Sequence, residues 1–328
     1  MRILAIGGTR FFGRALVEQA AERGHEVTVF HRGESEPADL PSIEHVHGDR
    51  HESVEVLRGR TWDAVVDTCA FVPREVREVA DTIGDDIGHY TFVSSLSVHD
   101  EDLPVGANET SVTFGPPFPD TEDVTDETYG PLKVACEVEA ADRFAGRLLV
   151  IRPGYIVGPN DPTDRFTYWV RRAGAGGEML AGAPPDAAIQ GIDARDLGTF
   201  VLDRVEASDA DTYGVVGPGE PATWEQAFDA AREAGGADTT IEWADEEWVR
   251  GLGPDREGWF PMWHPQLPGY HAYDASKATA AGLRPRPFDR TIAETLAWDR
   301  DRGLPALKAG MTAEKERELL DAWRASGS

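Results

Sequence analysis

A chain of 328 residues, 41% hydrophobic and with nine tryptophans, is long and apolar enough to bury a large core, which excludes a disordered protein. Its formal net charge of −27 argues against a sequence-independent grip on nucleic acid, which needs basic surface. No apolar run approaches the roughly 20 residues that span a bilayer, so no membrane partner is expected.

Cys69 and Cys136, the two cysteines, supply neither a disulfide framework nor metal-ligand spacing. No metal is expected, and a reduced, cytoplasmic location fits. Of the 32 basic residues only four are lysines: Lys133, Lys277, Lys308 and Lys315. An acidic, lysine-poor surface suits a halophilic protein working in molar salt, where the Debye length is about 3 Å. The arginine preference of a GC-rich genome is the other reading.

Along the chain, Ile3 to Ile6 is a short apolar strand that runs straight into glycines, unlike a leader peptide. Phe12 to Arg23 carries Ala15, Leu16 and Ala20 at helical spacing and stops at Gly24. Strands follow at Glu26–Phe30, Ile43–His47, Asp63–Asp67, Tyr90–Val93 and Leu148–Ile151, with a helical turn near Val54 and Leu57 and helices at Val76–Ile83 and around Pro131. Short apolar strands separated by helices mean parallel pairing with both faces covered, hence an α/β, doubly wound (Rossmann) sheet. The acidic stretch Asp100 to Glu127 reads as a long loop, and loops of that length are usually functional. After Gly158 the pattern loosens, with helices at Trp224–Ala234, Arg290–Trp298 and Thr312–Trp323. The expected division is a dinucleotide domain at 1–158, rejoined by about 188–217, and a smaller α/β substrate lobe at 159–328.

The first strand ends in Gly7-Gly8-Thr9-Arg10-Phe11-Phe12-Gly13 and opens a helix. Glycines there permit a tight turn and bring backbone N–H groups to a pyrophosphate at the helix N-terminus, so Gly7, Thr9, Arg10, Phe11, Phe12 and Gly13 are expected at an NAD(P) cofactor. Arg10 stands where a middle glycine is usual and is a candidate phosphate contact. Strand two ends in His31-Arg32, without the acid that accepts from the ribose of NAD. Arg32 beside Arg10 suits a 2′-phosphate, so NADP is favoured over NAD. Asp49 and Arg50 after strand three are placed at the adenine, and Thr68, Cys69 and Ala70 after strand four along the nicotinamide ribose.

Tyr129 and Lys133 are four apart, on one helix face. With Thr128 as N-cap, Pro131 falls in the first turn. An ammonium beside a phenol suits Tyr129 to general acid/base work on a hydroxyl as hydride leaves its carbon. Ser94-Ser95-Leu96-Ser97 closes strand five, where a hydroxyl can hold the substrate oxygen.

Together with Arg152-Pro153-Gly154-Tyr155-Ile156-Val157-Gly158-Pro159, these motifs resemble the extended short-chain dehydrogenase/reductase superfamily and, within it, the NAD-dependent epimerase/dehydratase family. The GGTRFFG start is similar to an atypical branch that includes chloroplast stem-loop-binding proteins. The resemblance runs through Ile192–Leu197 and Asp274–Lys277 to Trp298. It implies a catalytic group of Ser95, Tyr129 and Lys133, contact of Pro153 and Tyr155 with the nicotinamide amide, and a homodimer through the helices beside Tyr129. The 4,6-dehydratase members carry Thr-Asp-Glu where this chain has Ser95-Leu96-Ser97, so dehydration is not expected, and His99 stands where many relatives have Tyr.

Farther on, Arg165 and Arg195, with Arg171 and Arg172, are candidates to neutralise an anionic substrate such as a nucleotide sugar; salt-bridge networks are the alternative. Trp243, Trp248, Trp259 and Trp263 suit stacking on a base or packing in a small lobe. The leading expectation is a hydride-transferring oxidoreductase or epimerase acting at a secondary alcohol or ketone. A non-catalytic NADP-binding sensor is the second reading, and an RNA-binding role, opposed by the charge, the third.

Overall fold

Residues alternate in facing along the first strands, and this alternation builds two helical layers on one sheet. In the computed structural model, which describes every residue except 36, 38, 39, 100–102, 265, 266 and 328 and the side chain of Glu257, the first half contains β1 (Arg2–Ile6), α1 (Phe11–Glu22), β2 (Glu26–His31), β3 (Glu44–His47), β4 (Trp62–Asp67), α2 (Pro73–Ile83), β5 (Ile87–Val93), α3 (Asp126–Arg143) and β6 (Leu148–Pro153). The second half continues with β7 (Ile156–Val157), α4 (Arg165–Ala173), β8 (Gly177–Ala181), β9 (Ala188–Ile189), β10 (Ile192–Asp193), α5 (Ala194–Glu206), β11 (Thr212–Val215), β12 (Ala222–Thr223), α6 (Trp224–Gly235), β13 (Thr239–Trp243), α7 (Glu246–Gly251), α8 (Arg256–Trp259), α9 (Ser276–Ala280), α10 (Phe288–Asp301) and α11 (Ala313–Ala325).

Seven strands form one parallel sheet in the order β11-β6-β5-β4-β1-β2-β3. Ile3 and Ala5 of β1 face the layer made with Leu16, Leu197 and Val201 of α1 and α5. Leu4 and Ile6 face the opposite layer with Val76, Val79 and Phe144. Each such aliphatic or aromatic side chain contributes about 1.5–3 kcal/mol on burial. A Cβ at Gly198 would stand 2.9 Å from Gln19 Nε2, so the glycine lets α5 lie close on α1. The strand order reverses between β1 and β4, and ligands of such sheets bind outside the carboxyl ends at that point.

Residues beyond β6 serve both layers of the molecule. β11 pairs with β6 in the main sheet, while β8 and β13 form a parallel pair packed with α4, α6, α10 and α11 around Trp169, Trp224, Phe228 and Phe260. This is the smaller α/β lobe.

The helix that carries Tyr129 starts earlier than its sequence suggests. Thr125, not Thr128, is the N-cap: its Oγ1 accepts from the Thr128 N–H, and the Thr128 hydroxyl accepts from the Thr125 N–H at 2.8 Å. Asp126 and Glu127 then occupy the first turn, where they complement the helix dipole. Pro131 consequently lies inside the helix, not in its first turn. The acidic stretch from 103 to 125 forms neither helix nor strand beyond one bridge between His99 and Thr113, while 100–102 lie outside the described residues.

Candidate active site

The glycine turn is built around close approach. Gly7 and Gly8 take φ of +85° and +114°, which disfavour side chains. A Cβ at Gly13 would stand 2.7 Å from Gly8 Cα and N, so the start of α1 presses directly on the turn. Arg10 is the N-cap in extended conformation, its side chain makes no capping bond, and the first turn carries no acid. The leading N–H groups and the positive dipole end are therefore left for an anion.

Beside this turn lies a cavity of about 440 Å³, at the carboxyl ends of β1 to β4. Of the residues expected at the cofactor, Gly7, Thr9, Arg10, His31, Arg32, Asp49, Arg50, Thr68 and Cys69 line it. Gly8, Gly33, Ser35, His51, Phe71 and Glu75 line it as well and were not anticipated. His31 Nδ1 accepts the Gly33 N–H at 3.1 Å, and its Nε2 faces His45 Nδ1 at 2.9 Å, so strand three helps shape the turn after strand two. Arg32 is exposed and pairs with Glu34 at 3.0 Å. The glycine contacts, the uncapped helix and the cavity at the sheet's reversal point together fit a dinucleotide.

Eight expected cofactor residues do not line this cavity: Phe11, Phe12, Gly13, Ala70, Tyr129, Lys133, Pro153 and Tyr155. Phe12 turns into the core on the α5 side, Phe11 holds φ of +45°, and Gly13 abuts Gly8. Ala70 is buried and presents its carbonyl to Lys133. Arg50 lines the cavity, but its guanidinium forks Asp67, with both bonds at 2.9 Å, and is not a free phosphate contact.

The second cluster adjoins Phe71. Lys133 is 2% exposed, and its Nζ donates to the carbonyls of Ala70 at 2.8 Å and Val93 at 2.9 Å. It lies 4.9 Å from the ring centroids of Phe71 and Phe92 and 5.9 Å from that of Tyr129. The Tyr129 ring is 6.3 Å from that of Phe71, which lines the cavity, while Tyr129 itself does not. A Cβ at Gly130 would stand 2.1 Å from the Ser97 carbonyl, so α3 packs tightly on the serine turn. Ser95 caps that turn: its Oγ accepts from the Ser97 N–H at 3.0 Å and donates to the Ser97 hydroxyl at 3.1 Å. Ser94 is buried and donates to Glu137 at 2.6 Å, and Glu137 is in turn forked by Arg152. Burial thus separates the two serines, leaving Ser95 as the one with accessible surface.

Tyr155, after the buried Pro153, sits where the sheet meets the lobe. Its ring stacks on His271 at 5.0 Å and lies parallel to His264, and the Arg165 guanidinium is 5.6 Å from its centroid. Arg165 is exposed, its Nε donates to the Thr163 hydroxyl at 3.3 Å, and it makes no ion pair within 4 Å among the described residues, although its charge acts on the buried Asp161 carboxylate. Arg195 differs: Asp193 and Glu294 occupy its guanidinium, which removes it from the candidates for a substrate anion. Arg171 forks Asp299 and Arg172 pairs with Glu316 for the same reason. Trp243 packs on Phe228 and Trp248 on Trp323, while Trp259 takes Lys315 over its ring, so these three build the lobe.

His271 beneath Tyr155 is buried and neutral, accepting from the Gln190 N–H and donating to the Met262 carbonyl. Burial pushes its pKa down from 6.5 to about 4. An unfolded chain takes up this proton first, so stability is complete above pH 6.5 and falls as pH drops toward 4. The loss over that window is about 3 kcal/mol, and His271→Gln is expected to abolish it. Urea unfolding of both proteins at pH 7 and pH 4.5 measures the difference; equal acid losses would assign the effect to other groups.

Residues 3–210 match the model of the NAD dependent epimerase/dehydratase family. The chain belongs to that family. Over 180 residues it is 29% identical to the 2-alkyl-3-oxoalkanoate reductase of Stenotrophomonas maltophilia, a match spanning 49% of this chain and about half (52%) of the relative. Its fold is that of the UDP-Glc/GlcNAc 4-epimerase of Campylobacter jejuni, with a TM-score of 0.70 at 15% identity, covering 92% of this chain and 99% of the other. The UDP-glucose 4-epimerase of Bifidobacterium longum, solved with NAD+ and UDP, gives 0.66 at 15% identity over 92% and 98%. The glycine turn and the cavity at the sheet's reversal point are in keeping with the NAD dependence that names the family. Among the described residues no helix is long and apolar enough to cross a membrane, and no cluster of metal-ligating side chains occurs.

Proposed function

We propose that this family member is an NADP-preferring oxidoreductase acting at a secondary alcohol or ketone of an anionic substrate. The observation that carries the reading is Lys133, fastened by two main-chain carbonyls 5.9 Å from the centroid of the Tyr129 ring. A bound nicotinamide supplies or takes the hydride. Ser95 holds the substrate oxygen by a hydrogen bond, and Tyr129 passes the proton to or from that oxygen as the charge on it changes. Lys133, held rigidly by Ala70 and Val93, keeps a positive charge under the phenol at no reorganisation cost during the step. Residues 1–158 with β11 make the working dinucleotide domain in this reading, and 159–328 supply most of the substrate lobe.

For the substrate, Arg165 above Tyr155 is the candidate anion contact. An oxoalkanoate reductase and epimerases of UDP sugars both act on anions, which supports a carboxylate or a phosphate at this position. The choice of NADP rests on Arg10 and Arg32, both at the cavity and both exposed, with Arg32 exchanging its solvent-exposed pairing with Glu34 for the 2′-phosphate. Charge-assisted bonds to a 2′-phosphate contribute about 1.5–3 kcal/mol each. In molar KCl, suited to the acidic surface, wild-type protein is expected to bind NADPH at least tenfold more tightly than NADH, and Arg32→Asp to remove or reverse the preference (roughly tenfold for 1.4 kcal/mol). Fluorescence titration with both nucleotides tests this. Tightly retained NAD in the purified wild-type protein would defeat the NADP reading and favour an epimerase that recycles its hydride.

A further inference from the structure

Beneath the cavity lies a buried ionic cluster that the proposed chemistry does not use. Arg50 follows β3, in the loop expected at the adenine end, and is 8% exposed. Its two terminal nitrogens each donate to one oxygen of Asp67, which is fully buried at the end of β4. One of them also reaches the Glu75 carbonyl at 3.1 Å. Asp67 accepts two further bonds, from the Tyr90 hydroxyl at 2.8 Å and the Cys69 N–H at 3.2 Å. The Glu75 carboxylate lies 3.5 Å from Arg50 Nε and accepts the N–H groups of Phe71 and Val72. His51, the other imidazole at this rim, stands 3.2 Å from Glu75.

The connectivity has a consequence. One guanidinium joins the segment 48–51 to the segment 67–75, and Ala70 in the middle of the second segment receives the Lys133 ammonium. Burial works against the charge on Asp67, yet Arg50 beside it holds its carboxyl below the usual range. The pair therefore stays ionised, and separating it would strand a charge in the interior. Loops at strand ends are otherwise the most pliable part of such a sheet.

We propose that Arg50 is a positioning residue that clamps the adenosine-side loop to the loop at the nicotinamide side, so that the two halves of the dinucleotide meet a site of fixed span. This rests on the assignment of the cavity to the dinucleotide. A rigid span favours a ligand that bridges both halves and does little for either half alone, because only the whole ligand gains from the pre-set separation.

The test compares whole and half ligands on the full-length protein. Wild type, Arg50→Met and Arg50→Lys are titrated with NADPH and NADH, and separately with 2′,5′-ADP and ADP. Arg50→Met is expected to weaken the preferred dinucleotide by about tenfold or more while changing its half ligand by less than about threefold. Arg50→Lys, which keeps a cation beside Asp67 but loses the fork, is expected to recover part of the loss, and it carries the test alone if Arg50→Met does not fold. Equal losses for whole and half ligands would make Arg50 a direct adenosine-side contact and overturn the clamp, as would unchanged binding of both. A wild-type protein that binds neither dinucleotide would instead overturn the cavity assignment, and the clamp with it.

Discussion

Tyr129→Phe is expected to lower kcat by about 10²–10⁴-fold, the range that a positioned acid/base contributes. The substitution deletes one oxygen and keeps the ring, so the neighbouring Phe71 ring and the Lys133 ammonium retain their contacts. The loss should therefore appear in the chemical step and not in folding. Turnover of the ketone that wild type reduces fastest, drawn from oxo acids and oxidised sugar nucleotides and followed through NADPH absorbance, provides the measurement. A variant retaining wild-type kcat would remove Tyr129 from the reaction, whatever the substrate.

Gly13→Ala is expected to weaken dinucleotide affinity on the order of a hundredfold, the scale of an ångström's misplacement in a preorganised site. By helix propensity alone, alanine at this position in α1 would be favoured over glycine by roughly 1 kcal/mol. The tertiary contact has the opposite sign. A Cβ would meet the main chain of Gly8 at 2.7 Å, and neither a helix nor a glycine turn held at φ of +114° yields easily. The helix start and the turn would have to part, and the anion-facing N–H groups would move with them. Nucleotide titration together with thermal unfolding separates the two effects: a more stable variant with undiminished affinity would show that the close approach is dispensable.

Much of the site could be read in the chain because its parts are local. Gly7 to Gly13 form a single turn and helix start, and Tyr129 and Lys133 share a face of one helix, so spacing alone brings them near each other. The strands of the main sheet were similarly plain, since parallel strands covered on both faces read as unbroken apolar runs. Phe71 carries no such signal, because it lies in the segment between β4 and α2, where no periodicity marks it. The early start of α3 is not legible because two candidate caps, Thr125 and Thr128, stand three apart and bond each other, and sequence offers no way to choose between them.

Charge was the least legible property. Arg165 and Arg195 look alike in sequence, yet one stands over Tyr155 without an ion pair among the described residues and the other is enclosed by Asp193 and Glu294, which lies on the distant helix α10. Arg50 likewise reads as a free cation at the cavity, which it does line, until Asp67, seventeen positions away, is found to take its fork. By itself, then, the sequence determined the doubly wound sheet, the glycine turn and the Tyr129–Lys133 pair, because backbone propensity, burial period and helical spacing act over a few residues. Only the tertiary structure decided which serine is accessible, which arginines are taken up in ion pairs and what holds Lys133. Those depend on partners supplied by other elements, and a charge is strengthened, neutralised or left available by whatever the fold brings within about 4 Å.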